Sequence, residues 1–188
     1  AEHVQKTFDA MDTTRTRRVL LEGWEKFDEP VDRIVSIGAF EHFGRIRYTR
    51  FFKMAYRVLP ADGVMLLHTI SRPTFKDARA KGLHLTHEIV HFTQFILAEI
   101  FPGGQLPAQE DIFHCAQEAA FTVEKVQLLR EHYARTLNMW AANLAANREK
   151  AIAIQSEEVY DRYMHYLTGC EKFFLKGISN VGQFTLTK

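Results

Sequence analysis

Two segments place polar side chains where open α/β sheets do chemistry. The β-branched run Asp32–Ile37 (DRIVSI) ends at Ile37-Gly38, and Glu41 follows three residues later. The run Val64–Ile70 (VMLLHTI) carries His68 near its own end. Both runs have the pattern of buried strands, and ligands of open α/β sheets sit just outside the carboxyl ends of the strands. Glu41 has a plainer reading as a carboxylate ahead of the helix at Tyr48. A lone histidine on a strand is more often a satisfied core residue, and His42 reads as structural. Tyr133 stands at a helix start, where a packing role competes with a phenol donating into a site.

Three further groups carry chemistry by type. Trp24-Glu25 lies in a loop after a short strand candidate, Arg18–Glu22. An indole offers a flat apolar face to a purine, or it closes the core beside Phe27. Cys170 continues the stripe Tyr163, Leu167, Cys170, Phe174, which reads as a small apolar residue in a helix core. Only Lys172 stands near enough in sequence to lower its thiol pKa. His87-Glu88-Ile89-Val90-His91 matches HExxH, which on a helix sets two imidazoles on one face for zinc with the glutamate as base. The position six after His91 is Leu97, so the third ligand at the expected short spacing is missing. The match reads as a coincidence in a chain with nine histidines, and no metal is expected.

The elements that must hold these groups follow from pattern and punctuation. Tyr48, Phe51, Phe52, Ala55 and Val58 recur at helical spacing, and Pro60-Ala61-Asp62-Gly63 breaks the helix. Strand, loop, strand, helix, turn, strand predicts an α/β fold with a parallel sheet. Further helices are expected at Leu85–Ile100, Gln109–Ala120, Tyr133–Arg148 and Ser156–Phe174, the last opened by Ser156 with Glu157 and Glu158 in its first turn. Phe121–Leu129 and Val181–Thr187 are the remaining strand candidates.

Composition bounds the function classes. The 188 residues are 46% hydrophobic and 25% charged, which excludes disorder, collagen and coiled coil. Lys plus Arg is 24 against 23 Asp plus Glu, a balance that argues against a nucleic-acid binder acting through a basic field. Two cysteines make no disulfide framework and point to a reducing compartment. No apolar run reaches the length of a membrane span, so no integral membrane segment and a cytoplasmic location are expected. The 15 Phe, 6 Tyr and 2 Trp are read mainly as core, with some able to line a greasy tunnel.

The strings GWEKFDEPVDRIVSIGAFEHFG (Gly23–Gly44), LPADGVMLLHTI (Leu59–Ile70), EIFPGGQLP (Glu99–Pro107), HYARTLNMWAANL (His132–Leu144) and SEEVYDRYMHYLTGCEKFF (Ser156–Phe174) resemble the mycolic-acid cyclopropane synthase family, in family order over nearly the whole chain. The carboxyl half is most similar to the family's mycolic-acid methyltransferase branch. The resemblance implies a Rossmann-like S-adenosylmethionine-dependent methyltransferase fold. It implies one domain over residues 1–188, with helical cap segments at about 72–109 and 133–174. It implies methyl transfer to a cis double bond of a very long acyl (meromycolic) chain on an acyl carrier protein, with cyclopropane formation or methyl branching. S-adenosylmethionine and bicarbonate are the implied cofactors. Trp24, Glu25, Ile37 and Gly38 are the implied cofactor contacts, and Glu41, His68, Tyr133 and Cys170 the implied catalytic residues.

The resemblance also implies that the family's glycine-rich loop, with its strand and helix, precedes Ala1. The family's strand order is 3-2-1-4-5-7-6, which makes Arg18–Glu22 the third strand and Asp32–Ile37 the fourth. The expectation is then a truncated chain with an unpaired fourth strand. An inactive remnant, or a zinc hydrolase built on His87-Glu88-His91, are the alternative readings.

Overall fold

The computed structural model describes residues 2–188. Four strands form one mixed sheet, β1 (Arg33–Ile37), β2 (Val64–Ser71), β3 (Thr122–Leu128) and β4 (Asn180–Thr187), in the order β1-β2-β4-β3. β1 and β2 run parallel, whereas β4 runs antiparallel to both β2 and β3. The expected order 4-5-7-6 is therefore present, with β1 as the fourth strand. β2 and β4 are the interior strands, and the near-continuous apolar run of β2 reflects burial on both faces.

Helices cover both faces. On one, α2 (Tyr48–Val58) and α5 (Gln109–Glu118) seat Tyr48, Phe51, Phe52, Ala55, Ile112 and Ala116 against Met65, Leu67, Phe184 and Leu186. Burying each large side chain of this set contributes about 1.5–3 kcal/mol. Phe40 lies stacked on Tyr48 with ring centroids 4.0 Å apart, so the turn after β1 is anchored to α2. On the other face α6 (Arg130–Ala146) and α8 (Glu157–Lys176) pair through Leu137, Ala141, Leu167 and Phe174 over Ile70 and Val181. Ser156 caps α8 by accepting from the Val159 amide, as its sequence position predicts, and such a cap contributes about 1 kcal/mol.

Three shorter helices complete the chain. α1 (Glu2–Asp9) lies at the amino end, α3 (Phe75–Ala80) follows β2, and α7 (Arg148–Ile154) joins α6 to α8. The expected helix Leu85–Ile100 is α4 (His87–Phe95) followed by a π turn at Ile96–Ile100. Phe101 N donates to Ile96 O across that turn at 2.8 Å, which re-aims the chain at Phe101.

Arg18–Glu22 is not a strand. A strand needs a neighbouring strand to take its backbone groups, and this segment meets the Gln5 side chain instead. Val19 N donates to Gln5 Oε1 at 3.0 Å, and Gln5 Nε2 reaches Arg17 O at 3.5 Å. Leu21 is consequently left 88% exposed. β1 forms one edge of the sheet with its outer ladder open, and Val35 and Ile37 are 63% and 66% exposed.

Candidate active site

The carboxyl end of β1 turns sharply. Gly38 takes φ +63°, a conformation that glycine adopts without a Cβ penalty, and its amide donates to His68 O at 3.0 Å. That bond joins the turn to the end of β2. The single turn Phe40–His42 then carries Glu41 inward, where it is only 4% exposed. Glu41 Oε1 accepts from the Ile70 amide at 2.6 Å, and Glu41 O accepts from Gln105 N at 2.8 Å. Gln105 is itself held by the Tyr48 hydroxyl, which donates to its carbonyl at 2.8 Å. Glu41 Oε2 is buried without any hydrogen-bond partner. A buried carboxylate oxygen left alone costs more than an ordinary unmade bond, so this atom marks a place for a donor.

His68 is 8% exposed on β2. Its Nε2 lies 2.7 Å from the Tyr133 hydroxyl, and its Nδ1 lies 3.2 Å from Gln183 Nε2. Tyr133 stands in the first turn of α6, which starts right after β3, so the α6–α8 pair delivers the phenol to the sheet. Burial, and then the nearby Glu41 charge, push the Tyr133 phenol above its ordinary pKa and keep it protonated. Ile37 is paired with His68 in the β1–β2 register. Five of the expected residues, Ile37, Gly38, Glu41, His68 and Tyr133, thus converge at the ends of two parallel strands.

The other three stand elsewhere. Cys170 packs in the α6–α8 core beside Tyr166, and burial pushes its thiol up to about 12. It is a neutral thiol at any ordinary pH, without the thiolate that nucleophilic chemistry requires. Trp24 and Glu25 occupy a single turn against α2, where the Trp24 ring meets Phe43 and Phe51, each at 5.3 Å. They line an open groove of about 350 Å³ together with Arg50, Lys53 and Arg57. Glu25 accepts from Arg47 Nη1 at 3.0 Å, and its own backbone N–H together with Arg47 holds its carboxyl below the usual range.

Sequence reasoning missed four parts of this arrangement. They are the Ile70 amide, Gln105, Gln183 and an aromatic row formed by His42, Phe101, Tyr166 and Tyr163. In that row Phe101 lies 5.9 Å from His42 and 5.8 Å from Tyr166, and Tyr166 lies 6.3 Å from Tyr163. The π turn before Phe101 makes the row possible. The sequence showed only a helix stop there.

The HEIVH segment lies on α4 with His87 and His91 on one face, their Nε2 atoms 3.0 Å apart. Glu88 turns instead toward Lys176 at 3.7 Å. Among the described residues no group of three or more His, Cys, Asp or Glu is placed to hold a metal ion. No described helix is long and apolar enough to cross a membrane.

A parallel pair followed by an inserted antiparallel strand, helices on both faces and a polar cluster at the strand ends define a Rossmann-like methyltransferase fold of the S-adenosylmethionine-dependent class. The family model for mycolic acid cyclopropane synthetase matches residues 1–184, and the chain belongs to that family. It is 68% identical over all 188 residues to cyclopropane mycolic acid synthase 3 of Mycobacterium tuberculosis, covering 66% of that protein. The solved structure of the cyclopropane synthase MmaA2 from Mycobacterium tuberculosis superposes with a TM-score of 0.96 at 57% identity, over 100% of this chain and 66% of that one. The mycolic acid cyclopropane synthase CmaA1 complexed with SAH and CTAB superposes at 0.93 with 55% identity, again over 100% and 66%. The chain spans about 66% of the length of these relatives.

Proposed function

We propose that this chain supplies the acyl-side half of an S-adenosylmethionine-dependent methyltransferase acting on a cis double bond of a very long acyl chain presented by an acyl carrier protein. The outcome is a cyclopropane or a methyl branch. The observation that carries the reading is the buried Glu41 Oε2 with no partner, set beside a His68–Tyr133 pair at the strand ends.

The groups present fit a bicarbonate. Its hydroxyl is the donor that Glu41 Oε2 needs, and the Tyr133 hydroxyl is placed to donate to one of its other oxygens. Glu41 stays oriented because the Ile70 amide fixes Oε1. Held by Glu41 and Tyr133, bicarbonate would supply a base for the proton whose loss closes a ring. Where water instead adds to the cationic carbon and gives up a proton, the product carries a hydroxyl beside the methyl branch.

The groups also fit one wall of a cofactor site. Where a side chain at residue 38 would stand, nothing lies within 4 Å, and the Ile37 side chain is open beside it. Ile37 and Gly38 face the sulfonium end in this reading, and Trp24 and Glu25 the adenine end. Bound S-adenosylmethionine supplies an electrophilic methyl group. SAH, which remains after such a transfer, accompanies the relative CmaA1. The aromatic row His42, Phe101, Tyr166 and Tyr163 flanks the acyl path, and Cys170 contributes apolar wall rather than a nucleophile. α3, α4 and the α6–α8 pair serve as its helical cap, and the site works in the cytoplasm.

The test uses this chain fused behind the amino-terminal third of a family relative, with S-adenosylmethionine, bicarbonate and an unsaturated acyl chain on an acyl carrier protein. Mass spectrometry is expected to show a product heavier by one CH₂ for a cyclopropane, or by one CH₃ and one OH for a hydroxylated methyl branch. A fusion that binds S-adenosylmethionine yet leaves the acyl chain unchanged would sink the reading.

A further inference from the structure

Gln183 stands in a row that crosses the sheet. In the strand register it lies opposite His68 on β2 and opposite Gln127 on β3, while His68 is paired with Ile37 on β1. The Gln183 side chain therefore emerges on the same face as His68, and its amide nitrogen lies 3.2 Å from His68 Nδ1. An amide nitrogen only donates, so Nδ1 must accept. A neutral ring that accepts at Nδ1 carries its proton on Nε2, and Nε2 is the atom 2.7 Å from the Tyr133 hydroxyl.

The direction of that second bond is then fixed. His68 Nε2–H donates to the Tyr133 oxygen, and the Tyr133 proton is left free to point away from the ring. Were Nδ1 protonated instead, Nε2 would accept the phenol proton, and Tyr133 would have none to offer a ligand. We infer that Gln183 is a positioning residue that locks His68 in its Nε2–H tautomer and thereby makes Tyr133 a donor into the cluster beside Glu41. The inference rests on the reading of that cluster as an anion site, but its primary readout does not. Its place in the chain is also telling. β4 is the last strand, and its antiparallel insertion between β2 and β3 brings residue 183 to residue 68.

The test is NMR of ¹⁵N-histidine-labelled chain, with the His68 signals identified by their loss in His68→Gln. With the ring neutral, the wild-type chain is expected to show His68 as the Nε2–H tautomer. Gln183→Glu replaces the donor at Nδ1 with an acceptor and is expected to switch the neutral ring to Nδ1–H. Gln183→Leu removes the partner and is expected to leave a mixture. In a bicarbonate titration followed through the same signals, Gln183→Glu is expected to bind about tenfold more weakly than wild type. A wild-type ring protonated at Nδ1 overturns the assignment, as does an Nε2–H ring unaltered in both variants. A wild-type chain with the expected tautomer that binds no bicarbonate would overturn the anion reading and leave the role of Gln183 standing.

Discussion

Glu41 and Ile70 are joined by one short hydrogen bond that uses half of a carboxylate. The Ile70 amide donates to Glu41 Oε1 at 2.6 Å, and Oε2 stays buried with no partner. The bond locks the turn after β1 to the end of β2, so the orientation of the free oxygen is set before any ligand arrives. Such pre-set geometry is what makes a carboxylate useful at a reacting centre.

Replacing Glu41 with Gln keeps an oxygen for the Ile70 amide and removes the ability to trade a proton. In the fusion, turnover is expected to fall by about 10²–10⁴, with S-adenosylmethionine affinity within about twofold of wild type and little change in thermal midpoint. Product yield by mass spectrometry and calorimetric affinity check this together. Normal yield would remove Glu41 from the chemistry.

Trp24 has a packing role and a proposed binding role, and two substitutions separate them. Trp24→Ala deletes contacts with Phe43 and Phe51 and is expected to cost about 3 kcal/mol of stability. Trp24→Phe retains much of that packing. If the indole also meets the cofactor, both variants of the fusion lose about 1–3 kcal/mol of S-adenosylmethionine affinity. A Phe variant with wild-type affinity would confine Trp24 to the core.

Neither thiol is expected to react in the folded chain near neutral pH. Burial raises both Cys115 and Cys170, the latter to about 12. Alkylation of Cys170 should therefore accelerate about tenfold per pH unit across the range below that value. Buried Tyr48 and Tyr166 are likewise pushed up to about 12. Raised folded-state values mean that the native chain holds protons which the unfolded chain releases from about pH 9 upward. The stability these groups contribute is complete below pH 9 and is lost progressively toward pH 12. A thermal midpoint that rises between pH 9 and pH 11 would contradict this assignment.

Gly169 lets α4 lie against α8. A Cβ at this position would stand 2.0 Å from a Phe92 ring carbon, and Phe92 also meets Phe173 at 4.7 Å. Gly169→Ala is expected to destabilise by about 1–3 kcal/mol through overpacking. Phe92→Leu in the same chain should recover part of that loss, which a double-mutant cycle in urea measures. Independent, additive effects would mean that the two positions do not touch.

The open edge of β1 bears Val35 and Ile37, both largely exposed. Such an edge is a template for pairing with another copy. The 188-residue chain on its own is expected to self-associate, and Val35→Lys to reduce this with a stability change below about 0.5 kcal/mol. Light scattering across a concentration series checks it; equal association in both chains would exonerate the edge.

Much of this molecule is written locally. The strands at β1, β2, β3 and β4, the helices α2, α5, α6 and α8, and the Ser156 cap follow from apolar period and punctuation, because those signals lie within a few residues of each other. The motifs around Glu41, His68 and Tyr133 likewise marked candidate residues and pointed to a family. The pairing of a segment is a different matter. Arg18–Glu22 has the composition of a strand, yet strand formation depends on a neighbour's free backbone, and here the segment is met by the Gln5 side chain at Val19 N and at the preceding Arg17 O. Residues 41, 70, 105, 133 and 183 are scattered along the chain, and no local pattern shows that the Ile70 amide meets Glu41 or that Gln183 meets His68. The first contact exists because β1 lies parallel beside β2, which brings the turn after β1 to the end of β2; the second exists because β4 returns from far along the chain to lie between β2 and β3. Sequence set the chemical types, and chain topology set which of them share one buried, water-poor space. Burial in the α6–α8 core holds Cys170 as a neutral thiol, and burial at the strand ends leaves one oxygen of Glu41 waiting for a donor.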